Sequence, residues 1–261
     1  MKFSTKIKML AFDLDETLLR SDKTISLRTD KILARCRENG IKNVCATGRG
    51  PSVDTVAPGH LMDGRISMNG AVARIDGKRV YSRPIPWQIA RPLLMALEKR
   101  GLRISVEQHT NQFTNFDPNT ERTATQSIGF TLADFSSLEE DADKIYIPLR
   151  SRDVAKETAY IKQHLPDSLW ITVGSHEHLA QIMHRDATKA NAVSALADIW
   201  GIKLSEVVAF GDDHNDIEMI RNCGIGVAVA NALDEVKAVS DYICDTNDND
   251  GVAKWIEENI L

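Results

Sequence analysis

The segment LAFDLDETLL, residues 10–19, constrains this chain more than any other. An apolar run stops at Asp13, Asp15 and Glu16 follow, and the chain then turns apolar again. The preceding run IKMLAF, residues 7–12, is mostly apolar with little alternation. That is the pattern of a strand buried on both faces, as in a parallel sheet covered by helices on each side.

The rest of the first third keeps a strand–helix–strand rhythm. Ser26 is a plausible N-cap for a helix over LRTDKILARCRENG, with Ile32, Leu33 and Cys36 on one buried face and Gly40 placed to end it. IKNVCA, residues 41–46, and RISM, residues 65–68, read as further strands. The final third resumes the pattern. Helix ATKANAVSALADIWG is followed by strand EVVAFG, helix NDIEMIRNCG, strand IGVAVA, helix LDEVKAVS, strand DYIC and a closing helix GVAKWIEENIL. Such alternation implies a parallel sheet with right-handed crossovers.

The middle reads differently. A helix over 87–100 precedes strands near 102–107 and 112–116, then strand KIYIPL, a helix near 154–164, and strands LWITV and LAQIM. Units of this kind form an α+β layer with an antiparallel sheet. The expected fold class is therefore α/β: a Rossmann-like parallel-sheet core of residues 1–80 and 184–261, carrying an inserted α+β domain over 81–183.

In open parallel sheets ligands sit beyond the carboxyl ends of the strands. Asp13 and Asp15 follow the first strand, Thr47, Gly48 and Arg49 the second, Asn69 and Gly70 the third, and GDDHND, residues 211–216, the strand EVVAF. These clusters are expected to converge in one crevice. Grouping Asp13, Asp15, Asp212 and Asp216 without a cation is costly, because repulsion and desolvation both oppose it. An all-oxygen donor set without histidine or thiol suits Mg²⁺, which typically binds through one or two carboxylates plus substrate phosphate. Thr47 offers a hydroxyl and nearby backbone N–H groups, Lys189 a compact charge and Asn215 an amide donor. Asp13, rigidly placed at the strand end, suits a nucleophile attacking phosphorus. Asp15, further out on the turn, suits the acid that protonates the leaving alkoxide and the base that activates water.

Composition narrows the alternatives. The 261 residues carry 43% hydrophobic and 26% charged side chains, ordinary for a globular protein, and a formal charge of -5 argues against a nucleic-acid-binding surface. Four scattered cysteines (Cys36, Cys45, Cys223, Cys244) without CxxC spacing read as reduced thiols. No stretch approaches the roughly 18 apolar residues needed to cross a bilayer, and no secretory pattern stands at the N-terminus, so a cytoplasmic location is expected. GRGPSV lacks the third glycine of a dinucleotide loop. The two histidines of HEH, residues 176–178, would need a further ligand to hold zinc and are expected on a solvated edge.

Together the motifs resemble those of the haloacid dehalogenase superfamily. DLDET resembles its DxDx[TV] first motif, ATGR with Thr47 its second, Lys189 in ATKANAV its third and GDDHND its fourth. The long insert between the second and third motifs is similar to the α/β cap of the Cof-type phosphatases, subfamily IIB, and SMNGA is similar to a segment those proteins carry. The resemblance implies Asp13 as nucleophile and Asp15 as acid/base. It implies Mg²⁺ held by the Asp13 carboxylate, the Asp15 backbone carbonyl and Asp212 with Asp216 in support, and phosphate held by Thr47, Gly48, Lys189 and Asn215. Glu16 stands where glycine is common, and Ala190 replaces a glycine that often follows the third-motif lysine. The implied activity is Mg²⁺-dependent hydrolysis of small phosphomonoesters, sugar phosphates or phosphorylated cofactors, through an aspartyl-phosphate, with the cap selecting the substrate. The alternatives are a phosphomutase on the same scaffold or a non-enzymatic phospholigand sensor. The expected partner is a small phosphorylated metabolite, with no nucleic acid and no membrane, on a monomer or weak homo-oligomer.

Overall fold

The computed structural model describes residues 5–50, 53–57, 59–109, 111–117, 130–174 and 178–261. His176 and Glu177 of the HEH stretch lie outside these residues. The chain divides into two compact units, one of Met1–Arg49, Val53–Ser82 and Thr188–Leu261, the other of Gly50–Ser52 and Arg83–Ala187.

In the first unit the elements run β1 (Met9–Phe12), α1 (Leu27–Glu38), β2 (Lys42–Ala46), the short α2 (Val53–Val56), β3 (Gly64–Ser67), β4 (Val72–Ile75) and β5 (Lys78–Ser82). The second unit contributes α3 (Trp87–Lys99), β6 (Ser105–Gln108), β7 (Asn111–Thr114), β8 (Phe130–Leu132), β9 (Lys144–Pro148), α4 (Val154–His164), β10 (Leu169–Val173) and β11 (Leu179–His184). The first unit then resumes with α5 (Lys189–Ile199), β12 (Val207–Gly211), α6 (Ile217–Asn222), β13 (Ile225–Val229), α7 (Asp234–Lys237), β14 (Tyr242–Cys244) and α8 (Gly251–Asn259).

The first unit is built on a sheet ordered β14-β13-β12-β1-β2-β3-β4-β5 among the described residues. It is parallel from β14 to β3, and β4 and β5 add antiparallel to its edge. The sheet is thus mixed, not purely parallel. The added hairpin turns at Asp76 and Gly77, both at positive φ (48° and 75°), the geometry that favours an Asp-Gly pair in a two-residue hairpin.

Period-two alternation explains why β1 is apolar throughout. Leu10 and Phe12 enter one apolar layer with Leu33 and Cys36 of α1, Phe210 of β12 and Trp255 of α8. Met9 and Ala11 enter the layer on the other face, with Val193 and Leu196 of α5. Phe12 stacks on Phe210 at 5.4 Å between ring centroids, and Phe210 meets Trp255 edge-on at 5.5 Å. Truncating a fully buried aromatic such as Phe12 to alanine costs about 3–5 kcal/mol, so this layer holds the strand that presents Asp13. Ser26 caps α1 by accepting a hydrogen bond from the Thr29 backbone N–H at 3.0 Å, and Gly40 takes the left-handed conformation (φ 76°) just past its end.

The second unit carries a sheet ordered β10-β11-β9-β6-β7-β8, antiparallel except for the β7–β8 pair. Val106, Ile145, Ile147, Ala180 and Ile182 pack with Leu93, Leu94 and Leu97 of α3 and Ile161 of α4. The alternate residues Ser105, Gln112 and Tyr146 hydrogen-bond one another, with Gln112 Nε2 donating to Ser105 Oγ at 2.9 Å and to the Tyr146 hydroxyl. The changeovers between units fall after Ser82 and before Thr188, whereas the sequence reading set the limits at 80 and 184. Strand pairing explains the difference: β5 runs to Ser82 in the first sheet, and β11 runs to His184 in the second. Among the described residues no helix is long and apolar enough to cross a membrane.

Candidate active site

Strand order and register bring the polar clusters together. β12, β1, β2 and β3 are consecutive neighbours, with Phe12 opposite Phe210 on one side and Cys45 on the other. Asp13 continues this ladder by donating its backbone N–H to Phe210 O at 2.9 Å, and Thr47 does the same to Ile66 O at 2.9 Å. Asp13, Thr47 and Asp212 each follow directly on the carboxyl end of a strand in this run.

Lys189 is the first residue of α5, whose N-cap Thr188 accepts from the Asn191 N–H at 3.1 Å. Its ammonium donates to Asp13 Oδ1 at 2.5 Å and to Asp216 Oδ1 at 2.7 Å, with the Lys189 side chain 1% exposed. The other Asp216 oxygen, Oδ2, accepts from the backbone N–H groups of Asp212 (3.0 Å) and Asp213 (3.2 Å). Asp216 is thereby fully engaged as a brace between the fourth-motif turn and Lys189. Asp13, Asp212 and Asp216 each offer an oxygen, all within 4.8 Å of one another.

Electrostatics follow from this crowding. Burial raises the Asp13 carboxyl well above its ordinary range; Lys189 opposes that shift, while Asp216 and Asp212 reinforce it. Burial, and then repulsion by Asp216, push the Asp212 carboxyl up to about 7 against the Thr17 hydrogen bond and the Lys189 charge. Burial works against the Lys189 ammonium too, but Asp13 and Asp216 outweigh it and hold its pKa above the ordinary lysine value. Three carboxylates thus face one ammonium, an excess of negative charge that a divalent cation would match. The donors are all oxygen, as a hard cation such as Mg²⁺ requires, so the residues fit such an ion.

Asp15 is placed apart from that trio. It lies in the wide turn Leu14–Leu18 with extended dihedrals (φ −71°, ψ 128°), and Arg49 donates to both its oxygens, Nε to Oδ2 at 2.7 Å and Nη2 to Oδ1 at 2.6 Å. Lys23 adds an ion pair at 3.2 Å. Burial would raise the Asp15 carboxyl, but the Arg49 hydrogen bonds and the charges of Arg49 and Lys23 carry it below its usual value.

Thr47 is buried, and its hydroxyl accepts from the Arg49 N–H at 3.1 Å, which closes the Thr47–Gly48–Arg49 turn. Asn215 sits in the one-turn helix His214–Asp216 and donates Nδ2 to Asn69 Oδ1 at 2.8 Å.

Besides Arg49, three residues not among the expected catalytic, phosphate and metal positions belong to this neighbourhood. Thr17, within DLDET itself, donates its hydroxyl to Asp212 Oδ1 at 2.6 Å. Lys23 reaches both Asp15 and Glu16. Asn69 joins the third strand end to Asn215. Thr17 and Asn69 stood inside quoted motifs; nothing in the local sequence singled out Lys23. Glu16, which had no assigned part, takes the left-handed conformation (φ 60°). Its backbone O accepts from Asn231 Nδ2 at 2.7 Å and its carboxylate from Lys23 at 2.7 Å, so it pins the turn that carries Asp15. The resemblance has glycine here because the turn needs positive φ. Glu16 meets that need at a steric cost, and its carboxylate accepts two hydrogen bonds that glycine could not, from Lys23 at 2.7 Å and from Asn247 Nδ2 at 3.4 Å.

The haloacid dehalogenase-like hydrolase family profile matches residues 10–256. Among curated relatives, the 5-amino-6-(5-phospho-D-ribitylamino)uracil phosphatase YitU of Bacillus subtilis is 26% identical over 270 residues, covering 97% of this chain and 98% of that one. The solved structure of BT1666, a phosphatase of the same superfamily from Bacteroides thetaiotaomicron, is 29% identical at TM-score 0.83, with 99% of this chain and 97% of that chain covered. The subclass IIB sugar phosphatase BT4131 is 25% identical at TM-score 0.83, with 97% and 100% covered. The profile, the shared α/β fold and the ordered strand-end motifs agree: this chain belongs to the haloacid dehalogenase-like hydrolases, as an enzyme of the phosphatase kind.

Proposed function

We propose that the protein hydrolyses small phosphomonoesters with Mg²⁺, through a phosphoryl group carried on Asp13. The observation that carries this reading is the Lys189 ammonium. It reaches Asp13 at 2.5 Å and Asp216 at 2.7 Å, and so joins side chains from the end of the first strand, the third motif and the fourth motif through one buried ammonium. Asp13 and Asp212 would hold Mg²⁺, with the Asp15 carbonyl as a further ligand, and Asp216, its oxygens engaged by Lys189 and two backbone N–H groups, would support that shell. When bound, the ion supplies charge that offsets the phosphate and the carboxylates together.

The chain's own residues divide the remaining work. A carboxylate oxygen of Asp13 attacks phosphorus, and the bond from phosphorus to the ester oxygen breaks. The carboxylic acid of Asp15 gives its proton to that oxygen, so an alcohol leaves. Asp15, now a carboxylate, takes a proton from water as the water oxygen attacks phosphorus. The Asp13–phosphorus bond then breaks, releasing inorganic phosphate and restoring Asp13. Splitting the displacement this way lowers each barrier. Lys189, Thr47, the Gly48 backbone and Asn215 hold the phosphate oxygens, and preorganised donors of this sort lose little in reorganisation. Arg49 and Lys23 orient Asp15, and Asp15 accepts the proton only once it has turned part of its carboxylate from them.

The substrate is proposed to be a phosphate ester on a polyhydroxylated carbon chain. YitU by its name acts on a phosphoribityl compound and BT4131 on sugar phosphates, both of that chemistry. The inserted unit of residues 83–187 is proposed to choose among them. Hydrolysis of p-nitrophenyl phosphate with and without Mg²⁺ tests the core of the reading. Metal-dependent turnover should fall on the order of 10³-fold in Asp13→Asn. Undiminished turnover in that variant, freed of contaminating phosphatase and of deamidated protein, defeats it.

A further inference from the structure

The segment Met68–Asn69–Gly70 follows β3 with three successive positive φ angles, 54°, 55° and 98°. Two of the three residues are not glycine, and left-handed backbone is costly for them. Such strain persists only where surrounding structure over-determines it, and it concentrates at functional sites. What over-determines it here is a set of contacts to the phosphate-binding candidates. Met68 N–H donates to Arg49 O at 2.8 Å and Asn69 N–H to Thr47 O at 3.0 Å, so the turn grips both ends of the Thr47–Arg49 loop. A Cβ on Gly48 would lie 3.1 Å from Asn69 Oδ1. A Cβ on Gly70 would lie 2.1 Å from the backbone O of Thr188, the cap residue before Lys189, so only glycine fits there.

Asn69 is 1% exposed, and its Oδ1 accepts from Asn215 Nδ2 at 2.8 Å. A carboxamide nitrogen carries two hydrogens. With one bound to Asn69, the Asn215 amide is oriented, and its second N–H, without a partner among the described residues, can meet a phosphate oxygen.

We propose that Asn69 is a positioning residue of the phosphate site, acting through Asn215. The proposal rests on the reading above, in which Thr47, Lys189 and Asn215 hold phosphate. Asn69 touches no reacting atom. Its backbone sets the Thr47–Gly48 turn, and its side chain aims the Asn215 donor.

The test is calorimetric binding of inorganic phosphate to the full chain with saturating Mg²⁺. Asn69→Gly keeps the left-handed backbone at no steric cost and removes the carboxamide together with the Cβ. Asn69→Ala deletes the same group but leaves a Cβ in that conformation, so it should melt lower than Asn69→Gly. Both variants should lose roughly tenfold in phosphate affinity, about the worth of one well-aimed hydrogen bond. Adding Asn69→Gly to Asn215→Ala should cost less than about twofold more, because linked residues are non-additive. An affinity loss that follows melting temperature instead of the carboxamide, or one that multiplies fully with Asn215→Ala, overturns the role of Asn69. So does wild-type affinity in Asn69→Gly. A wild-type protein that binds no phosphate overturns the phosphate-site reading itself.

Discussion

Both units bury charge, but they balance it differently. In the second unit Lys144 meets Glu107 at 3.4 Å with both side chains under a tenth exposed, and the buried Glu157 takes Arg100 at 3.1 Å and Arg152 at 3.3 Å. Glu107 and Glu157 each have at least one cation of their own. In the first unit Asp13, Asp212 and Asp216 crowd around the single ammonium of Lys189. Burial alone therefore does not mark chemistry. A matched pair is what a fold needs to hide a charge, whereas an unmatched excess is what a site holds in readiness for a cation and a phosphate.

Removing the cation from each region breaks the comparison most severely. Lys189→Met leaves three carboxylates in mutual repulsion, and phosphatase turnover should fall on the order of 10³-fold. Pairing it with Asp216→Asn should not restore melting temperature to wild type, since Asp13 and Asp212 remain uncompensated. Lys144→Met should cost about 3–5 kcal/mol in urea unfolding, the usual penalty for orphaning a buried partner. There the double variant Lys144→Met with Glu107→Gln should recover most of the loss. Recovery in both regions, or in neither, would erase the distinction.

Finer substitutions sharpen it. Thr17→Val removes the hydroxyl that holds Asp212 Oδ1 at 2.6 Å, and Mg²⁺ affinity should weaken about 10–100-fold, as for other residues that orient a metal ligand. Arg49→Met should have the smallest effect on stability, under about 1 kcal/mol, because Asp15 is a third exposed and Arg49 a fifth, so water screens the pair. Its pH dependence has a definite sign. Arg49 holds the Asp15 carboxyl below its unfolded value, so the stabilisation is present above about pH 4 and is lost as the pH falls through the lower folded value. Thermal melts of wild type and Arg49→Met should differ at neutral pH and converge in acid.

Much of the first unit was legible because its signals are local. The unbroken apolar run before Asp13 requires two covered faces, and β1 has them. Ser26 before α1 is a capping residue in the structure as in the sequence pattern. The β4–β5 hairpin was carried by Asp76–Gly77, yet β5 is at most half-buried and mostly polar, so no hydrophobic period announced it. The three-residue β8 is likewise short and exposed, and its pairing with β7 is a tertiary fact. The site list missed Lys23 and Asn69 for a related reason. Lys23 matters only because the Glu16 turn folds back beside it, and Asn69 only because the third strand end lies beside the fourth-motif turn. Contacts across the sheet cannot be spelled by spacing along the chain.

The most direct test of the central claim is a Mg²⁺ titration followed by calorimetry, on wild type and on Asp212→Asn. An acid excess built to hold a cation predicts one equivalent of Mg²⁺ per wild-type chain and an affinity at least about 100-fold weaker in the variant. Equal Mg²⁺ affinity in the two proteins would contradict it.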